Sequence, residues 1–462
     1  MAQDQVGVIL ESGLSDWQIL QQDEHGNAAI SLQGRWVSET PGTVEVRLVF
    51  EDTGVAVSAV LDWHAVETHA DHTWSAMLPR VPAGGLYRLE TRLNPDGNVA
   101  HEWATRGDMR HFVGVGDLWV IAGQSNSAGY GRGPVYDPPE MGVHLFRNSE
   151  QWALATHPMN ESTDTRHAVN REAANPAHSP YLHFARLLKQ QLGYPIGLVQ
   201  TALGGSALAP WNPMESISAV LFNNMLHCVE CAGGQVKGVL WYQGETDANE
   251  QDSPTYADRF INAVGAWREA LHNPTMPVLT VQLNRVRQAA TPSMHVGWSQ
   301  LREAQRQASH RLTGVAVIPS LDLPLSDGIH ISPAGNLLLA DRLARAALGG
   351  VYGLPLVYRA PDVSSARRSE EGRSVVLTFE HVTSRMDNID LTANCFRVED
   401  EGGEVSVEHI IYPGDATIRL ELRRALAGRA LVHGAYGIDP PNAPADIERF
   451  MPMLGFQGVP VE

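Results

Sequence analysis

Apolar and polar positions alternate with a period of two in several short runs over the first hundred residues. In TVEVRLVF, Val44, Val46, Leu48 and Phe50 fall on one face, with Glu45 and Arg47 opposite. In LYRLETRL, Tyr87, Leu89 and Leu93 oppose Arg88, Glu90 and Arg92. This spacing predicts strands with one buried face, and the Pro/Gly turns TPGT and VPAGG separate them. From about residue 113 the pattern changes to short, wholly apolar runs, LWVIAG, PIGLVQTA, VKGVLWYQ, MPVLTVQL and TGVAVIPS, alternating with stretches of helical period. One helix is expected from near Pro180, with Leu182, Ala185, Leu188 and Leu192 on a shared face, and another carries Phe260, Val264, Trp267 and Leu271. A third starts at SPAG, with Ser332 as N-cap and Pro333 at the first helical position, and stops at Gly349. Beyond about residue 355 alternation returns in SVVLTF and in TIRLEL, where Ile418, Leu420 and Leu422 oppose Arg419 and Glu421.

Strand–helix alternation implies a mostly parallel sheet covered by helices on both faces. The predicted organisation is therefore an N-terminal β-rich domain over residues 1–112, an α/β domain over 113–352 and a C-terminal β-rich domain over 353–462. Two to four domains suit a chain of 462 residues. Its apolar content of 43% and charged content of 19% are ordinary for a globular protein with a sizeable core.

The formal charge of −18, with no cluster of Lys and Arg, argues against a nucleic-acid partner. No apolar run is long enough to span a membrane. The opening MAQDQVGVILESG has neither a basic n-region nor an apolar h-region, so no targeting signal is read in this chain. That predicts a cytoplasmic protein, or a secreted or periplasmic one whose signal peptide has been removed. The three cysteines, Cys228, Cys231 and Cys395, make no disulfide framework. Cys228 and Cys231 form a CxxC in HCVEC without a second pair for zinc, and are expected as helical cysteines facing a core. Oligomeric state is left open.

The ends of the central strands carry the candidate chemistry, because in parallel sheets reactive groups gather where strands give way to loops. The first strand ends in Gly123-Gln124-Ser125-Asn126. A serine there can attack a carbonyl while its own N–H helps to hold the oxyanion, although Ser127 stands where a nucleophile elbow requires glycine. ALGGSALAPW follows the second strand, where Gly204 or Gly205 permits a backbone N–H to face a cleft. GVLWYQGETDAN places the Gln243 amide as an oxyanion donor and Glu245 as either an orienting carboxylate or a buried one serving the fold. In LSDGIHISPAG, Asp327 and His330 are three residues apart before a capped helix, so the carboxylate can fix the imidazole tautomer. Each block taken alone also reads as an ordinary turn.

Together, in this order, the blocks resemble the SGNH hydrolases, specifically the sialate O-acetylesterase-like carbohydrate esterases. GDLWVIAGQSN, GGSALAPW, LFNNM and VKGVLWYQGETDAN are similar to that branch's motifs, whereas DGIHIS is closer to the block of acetylxylan-type relatives. The resemblance implies a flavodoxin-like α/β/α domain flanked by β-sandwich-like domains. It implies Ser125 as nucleophile, His330 as general base and then acid, and Asp327 as its orienter. Oxyanion donors would be the N–H groups of Ser125 and Gly205 (Gly204 the alternative) and the Gln243 amide. Gln124, Asn126 and Glu245 would support the loops, and Trp211 would offer a sugar a platform at the rim. Tyr242 is placed at the rim or in the core, and Trp119 and Trp241 are assigned to the core. The implied reaction is hydrolysis of a sugar O-acetyl ester through an acyl-enzyme, with neither metal nor other cofactor.

Two departures bear on the site. Ser127 replaces a common methionine and is expected to alter the pocket floor, and Asn224 replaces a glycine where a left-handed turn is expected to survive. The same residues suit an acetylxylan or general short-chain carboxylesterase. A carbohydrate-binding module is the non-enzymatic alternative.

Overall fold

A computed structural model describes residues 6–390 and 393–462. Met1–Gln5, part of the segment read above for a leader, lie outside the described residues. The central sheet runs in the order Trp152–Leu154, Val143–Phe146, Ile196–Gln200, Thr105–Gly123, Gly238–Tyr242, Val278–Val281, Val315–Ile318. All these strands are parallel except Trp152–Leu154, which closes one edge antiparallel. Taken from Ile196–Gln200 onward, the strand order is 2-1-3-4-5, the flavodoxin-like arrangement, whose order reverses beside the first strand. The wholly apolar runs are strands because both their faces are covered: Leu118 to Ala122 and Val239 to Tyr242 are all buried.

The expected helices occupy Tyr181–Leu192, Tyr256–Ala270 and Pro333–Gly350. Ser332 caps the last of these, its side chain accepting from the Gly335 N–H. Two further helices complete the layers. Val220–Ala232 contains Asn224, which is buried inside the helix, so the left-handed turn expected there does not exist. Cys228 is buried as expected, but Cys231 is exposed, because the amphipathic helix turns it away from the sheet. Pro292–Arg311 was not foreseen; it starts at the Thr291-Pro292 cap and points Arg302, Gln305 and Arg306 inward.

The N-terminal sheets are antiparallel, apart from Ile19–Gln21, which pairs parallel with Thr105–Gly123, and enclose Val44, Val46, Leu48, Tyr87, Leu89 and Leu93, while Phe50, last in its strand, is exposed. Thr105–Gly123 belongs to both regions. Its first half pairs antiparallel with Gly84–Pro95, and its second half is the first parallel strand of the central sheet. The division expected at residue 112 thus falls within one continuous strand.

Antiparallel sheets of the C-terminal region pack Val375, Leu377, Phe379, Val398, Ile418, Leu420 and Val432 into a separate core. Arg302 ties it to the central domain: its guanidinium donates to the carbonyls of Leu283, Asn284, Ala435 and Gly437. Burial pushes that guanidinium down to about 9. Among the described residues no helix is long and apolar enough to cross a membrane.

Candidate active site

Gly123 ends the first central strand with φ +122, and a side chain there would run into the Tyr242 carbonyl. This glycine lets the backbone turn sharply, so that Ser125 opens the single-turn helix Ser125–Ala128 at the carboxyl edge of the sheet. The Ser125 hydroxyl lies 2.9 Å from His330 Nε2. His330 Nδ1 is 2.7 Å from Asp327 Oδ2, while Asp327 Oδ1 accepts the N–H groups of Ile329 (2.8 Å) and His330 (2.7 Å). Partial burial would raise the Asp327 carboxyl, but the His330 ring and these N–H donors outweigh it and hold the group below its ordinary value. Asp327 is therefore ionised at neutral pH, beside the imidazole nitrogen it orients. The ring of Tyr130 stacks on His330 at 5.1 Å.

Asn126 locks the serine loop to the histidine loop. Its Oδ1 accepts the Ile331 N–H at 3.0 Å, and its Nδ2 donates to Glu245 Oε1 at 2.8 Å and to the Ile329 carbonyl at 3.3 Å. Both neighbours of His330 are thus held by the residue after Ser125. Burial raises the Glu245 carboxyl, whose Oε2 has no hydrogen-bond partner among the described residues. Gln124 reaches the third loop, its Oε1 accepting from Gln243 Nε2 (3.2 Å) and from the N–H groups of Gly244 (3.4 Å) and Thr246 (3.3 Å).

Three expectations change. Gln243 is fully enclosed, and its Nε2 donates to Asp247 Oδ2 (2.6 Å), Gln124 Oε1 and the Ser206 carbonyl. Two amide hydrogens facing three protein acceptors leave no donor for an oxyanion, so this amide organises the loops instead. Trp211 is wholly buried, edge-on to Trp241 at 5.3 Å with its Nε1 donating to Ser206 Oγ, and offers no rim platform. It faces inward because the strand-end loop folds back onto the helix Tyr256–Ala270, where Trp267 Nε1 meets its carbonyl. Ser127 does not form a pocket floor. It is buried under the loop, donating to the Ala122 carbonyl and 2.7 Å from the Tyr181 hydroxyl. Tyr242, Trp119 and Trp241 are all core residues.

The two glycines differ in their partners. The Gly204 N–H donates to Glu172 Oε1 at 2.9 Å, whereas the exposed Gly205, at φ +70, has no acceptor for its N–H among the described residues. Glu172 also accepts from the Tyr130 hydroxyl (2.7 Å) and from Asn160 Nδ2 (2.8 Å), joining the second loop to the residue stacked on His330. Asp247 holds Leu208 N–H and Gln243, with Arg259 at 3.2 Å. Neither acid was singled out from sequence. Glu172 sits in an irregular stretch without periodicity, and Asp247 follows Glu245 closely enough to be read with it.

A flavodoxin-like sheet with a serine, an imidazole and a carboxylate in one hydrogen-bonded row at its carboxyl edge defines the SGNH class of fold and site. Within that class, the chain belongs to the family described as carbohydrate esterase, sialic acid-specific acetylesterase, whose model matches residues 115–349. Family membership makes it a carbohydrate ester hydrolase. It is 28% identical over 253 residues to a probable carbohydrate esterase of Arabidopsis thaliana, covering 50% of this chain and 90% of the relative. It is 24% identical over 316 residues to human sialate O-acetylesterase, covering 58% of this chain and 54% of the relative. The chain thus spans about half the length of that enzyme. A carbohydrate acetylesterase from Xanthomonas citri has the same fold over nearly the whole chain, with a TM-score of 0.67 at 23% identity, covering 97% of this chain and 99% of that one.

Proposed function

We propose that this chain removes O-acetyl groups from carbohydrates, with Ser125 as nucleophile, His330 as general base and then acid, and Asp327 as its orienter. The observation that carries the reading is the unbroken row from Ser125 Oγ through His330 to Asp327, at 2.9 and 2.7 Å. A serine hydroxyl is a weak nucleophile at neutral pH and needs a base within hydrogen-bond reach. Attack on the acetyl carbonyl transfers the hydroxyl proton to His330 Nε2, and Asp327 stabilises the imidazolium. The N–H groups of Ser125 and Gly205 receive the oxyanion. Collapse breaks the bond to the sugar oxygen, which leaves with the proton from His330. Water, deprotonated by the same imidazole, then attacks the acetyl-serine and releases acetate.

The test is acetate release from 4-nitrophenyl acetate, acetylated sialic acid, acetylated xylan and simple acetylated sugars. A serine-directed phosphonate should abolish turnover and label Ser125, and Ser125→Ala should be inactive but folded. Labelling elsewhere, or turnover that survives Ser125→Ala, would overturn the assignment. Preference for acetylated sialic acid would place the substrate with the family description; preference for xylan would follow the DGIH block.

A further inference from the structure

Away from the reactive loops, a second set of donor atoms gathers around HCVEC. Glu150 lies in the turn between Val143–Phe146 and Trp152–Leu154, His167 precedes the short turn Ala168–Asn170, and His227 and Cys231 share the helix Val220–Ala232. Glu150 Oε1 is 3.3 Å from His227 Nε2 and 3.5 Å from His167 Nε2. Cys231 Sγ is 3.6 Å from His227 Nε2. A Glu150 oxygen, a His227 nitrogen and the Cys231 sulfur all lie within 4.8 Å of one another.

Bonds of about 2.0–2.3 Å in a tetrahedral zinc site set its donors about 3.3–3.8 Å apart. The Glu150–His227 and His227–Cys231 contacts fall in that range, and their carboxylate, imidazole and thiol groups are the ligand types zinc takes. We propose that Glu150, His227 and Cys231 bind a zinc-like divalent cation, with solvent completing its shell. Arg166 does not compete for the same oxygen; it pairs with Glu150 Oε2 at 3.3 Å from an exposed position. Cys228 is buried behind His167, its sulfur 3.8 Å from His167 Nε2. Cys231 gives up its proton on binding, so one proton is released for the cysteine ligand.

The other imidazole–carboxylate cluster, Asp137 with His157 and His178, is built differently. Asn336 Nδ2 meets His178 Nδ1 at 3.2 Å, which places the proton on Nε2, and Arg186 stands 3.1 Å from Asp137 Oδ1. That His178 nitrogen is a donor to Asp137, not a lone pair for a metal.

The proposed cation would fasten the turn that holds Glu150, at the edge of the central sheet, to the helix Val220–Ala232. The role is structural and independent of the esterase reading.

The test is titration of chelator-stripped, reduced full-length protein with Zn2+, and with Co2+ as a spectroscopic probe. One equivalent of Co2+ should bind, with thiolate-to-cobalt charge transfer and the strong visible bands of tetrahedral cobalt. One equivalent of Zn2+ should raise the melting temperature. Cys231→Ser and His227→Ala should each weaken binding by at least about tenfold, while leaving basal 4-nitrophenyl acetate turnover in metal-free protein unchanged. Alkylation of the exposed Cys231 thiol in the native protein should abolish the charge-transfer band, a check that needs no folded variant. Absence of the band in the unmodified protein, or binding equal in both variants and the parent, would overturn the proposal.

Discussion

Asn126 shows how one side chain can set the distance between two others from behind. It grips the backbone on both sides of His330 and is itself held by Glu245, so the gap between Ser125 and His330 depends on it. Misplacing a catalytic group by about 1 Å can cost about a hundredfold in rate. Asn126→Ala should therefore lower kcat on 4-nitrophenyl acetate by about 10- to 100-fold with little change in KM, checked on protein whose circular dichroism matches the parent. Unchanged kcat would remove Asn126 from this role. The residue scale is also where sequence reading is weakest. Ser125, Asp327 and His330 stood out because each sits at a strand or helix boundary. Nothing in GGSALAPW, by contrast, says whether Trp211 points to solvent or into the core, and only the packing of Trp241 and Trp267 against it decides.

Among the elements, the helix Pro333–Gly350 follows the proposed base and fixes where its loop ends. Ser332 accepts the Gly335 N–H at 3.2 Å, and losing such a cap costs about 1 kcal/mol. Ser332→Ala should lower the unfolding free energy by that amount, read as a lower urea midpoint at unchanged m-value. The parallel strands and this helix were legible because apolar runs, Pro at the first turn and a Ser cap are local signals. Pro292–Arg311 was not, since its inward face carries Arg302, Gln305 and Arg306, and their partners lie on distant segments. Its buried apolar members, Trp298, Leu301, Ala304 and Ala308, are interleaved with these polar ones, which are satisfied by carbonyls and carboxylates elsewhere, so the apolar stripe is broken. HCVEC shows the same limit: the CxxC was visible, but Glu150 comes from another part of the chain.

For the whole molecule, the C-terminal region carries a distinct acid sensitivity. Asp446 is fully buried and accepts from Thr383 N–H, Thr383 Oγ1, Ser384 Oγ and Arg449 Nε. Burial alone would raise its carboxyl, but these partners hold it at about 2. An unfolded aspartate titrates near 3.9, so this group's stabilisation is complete above that pH and is lost as pH falls through about 2. Urea unfolding between pH 5 and 2 should show stability falling in that window, with a shallower fall in Asp446→Asn. The strand Thr105–Gly123 carries a different consequence, one for anyone shortening the protein. A fragment matched to the family-wide region 115–349 would begin partway along this strand. It would keep the pairing of residues 117–123 with Ile196–Gln200 and Gly238–Tyr242, but it would discard Ile19, which packs into the central core, and Gln21, which accepts the Leu118 N–H and donates to Asp117. A fragment fit for expression thus reaches back past residue 19, and its N-terminal limit is set by what packs beneath the strand, not by the reach of the chemistry.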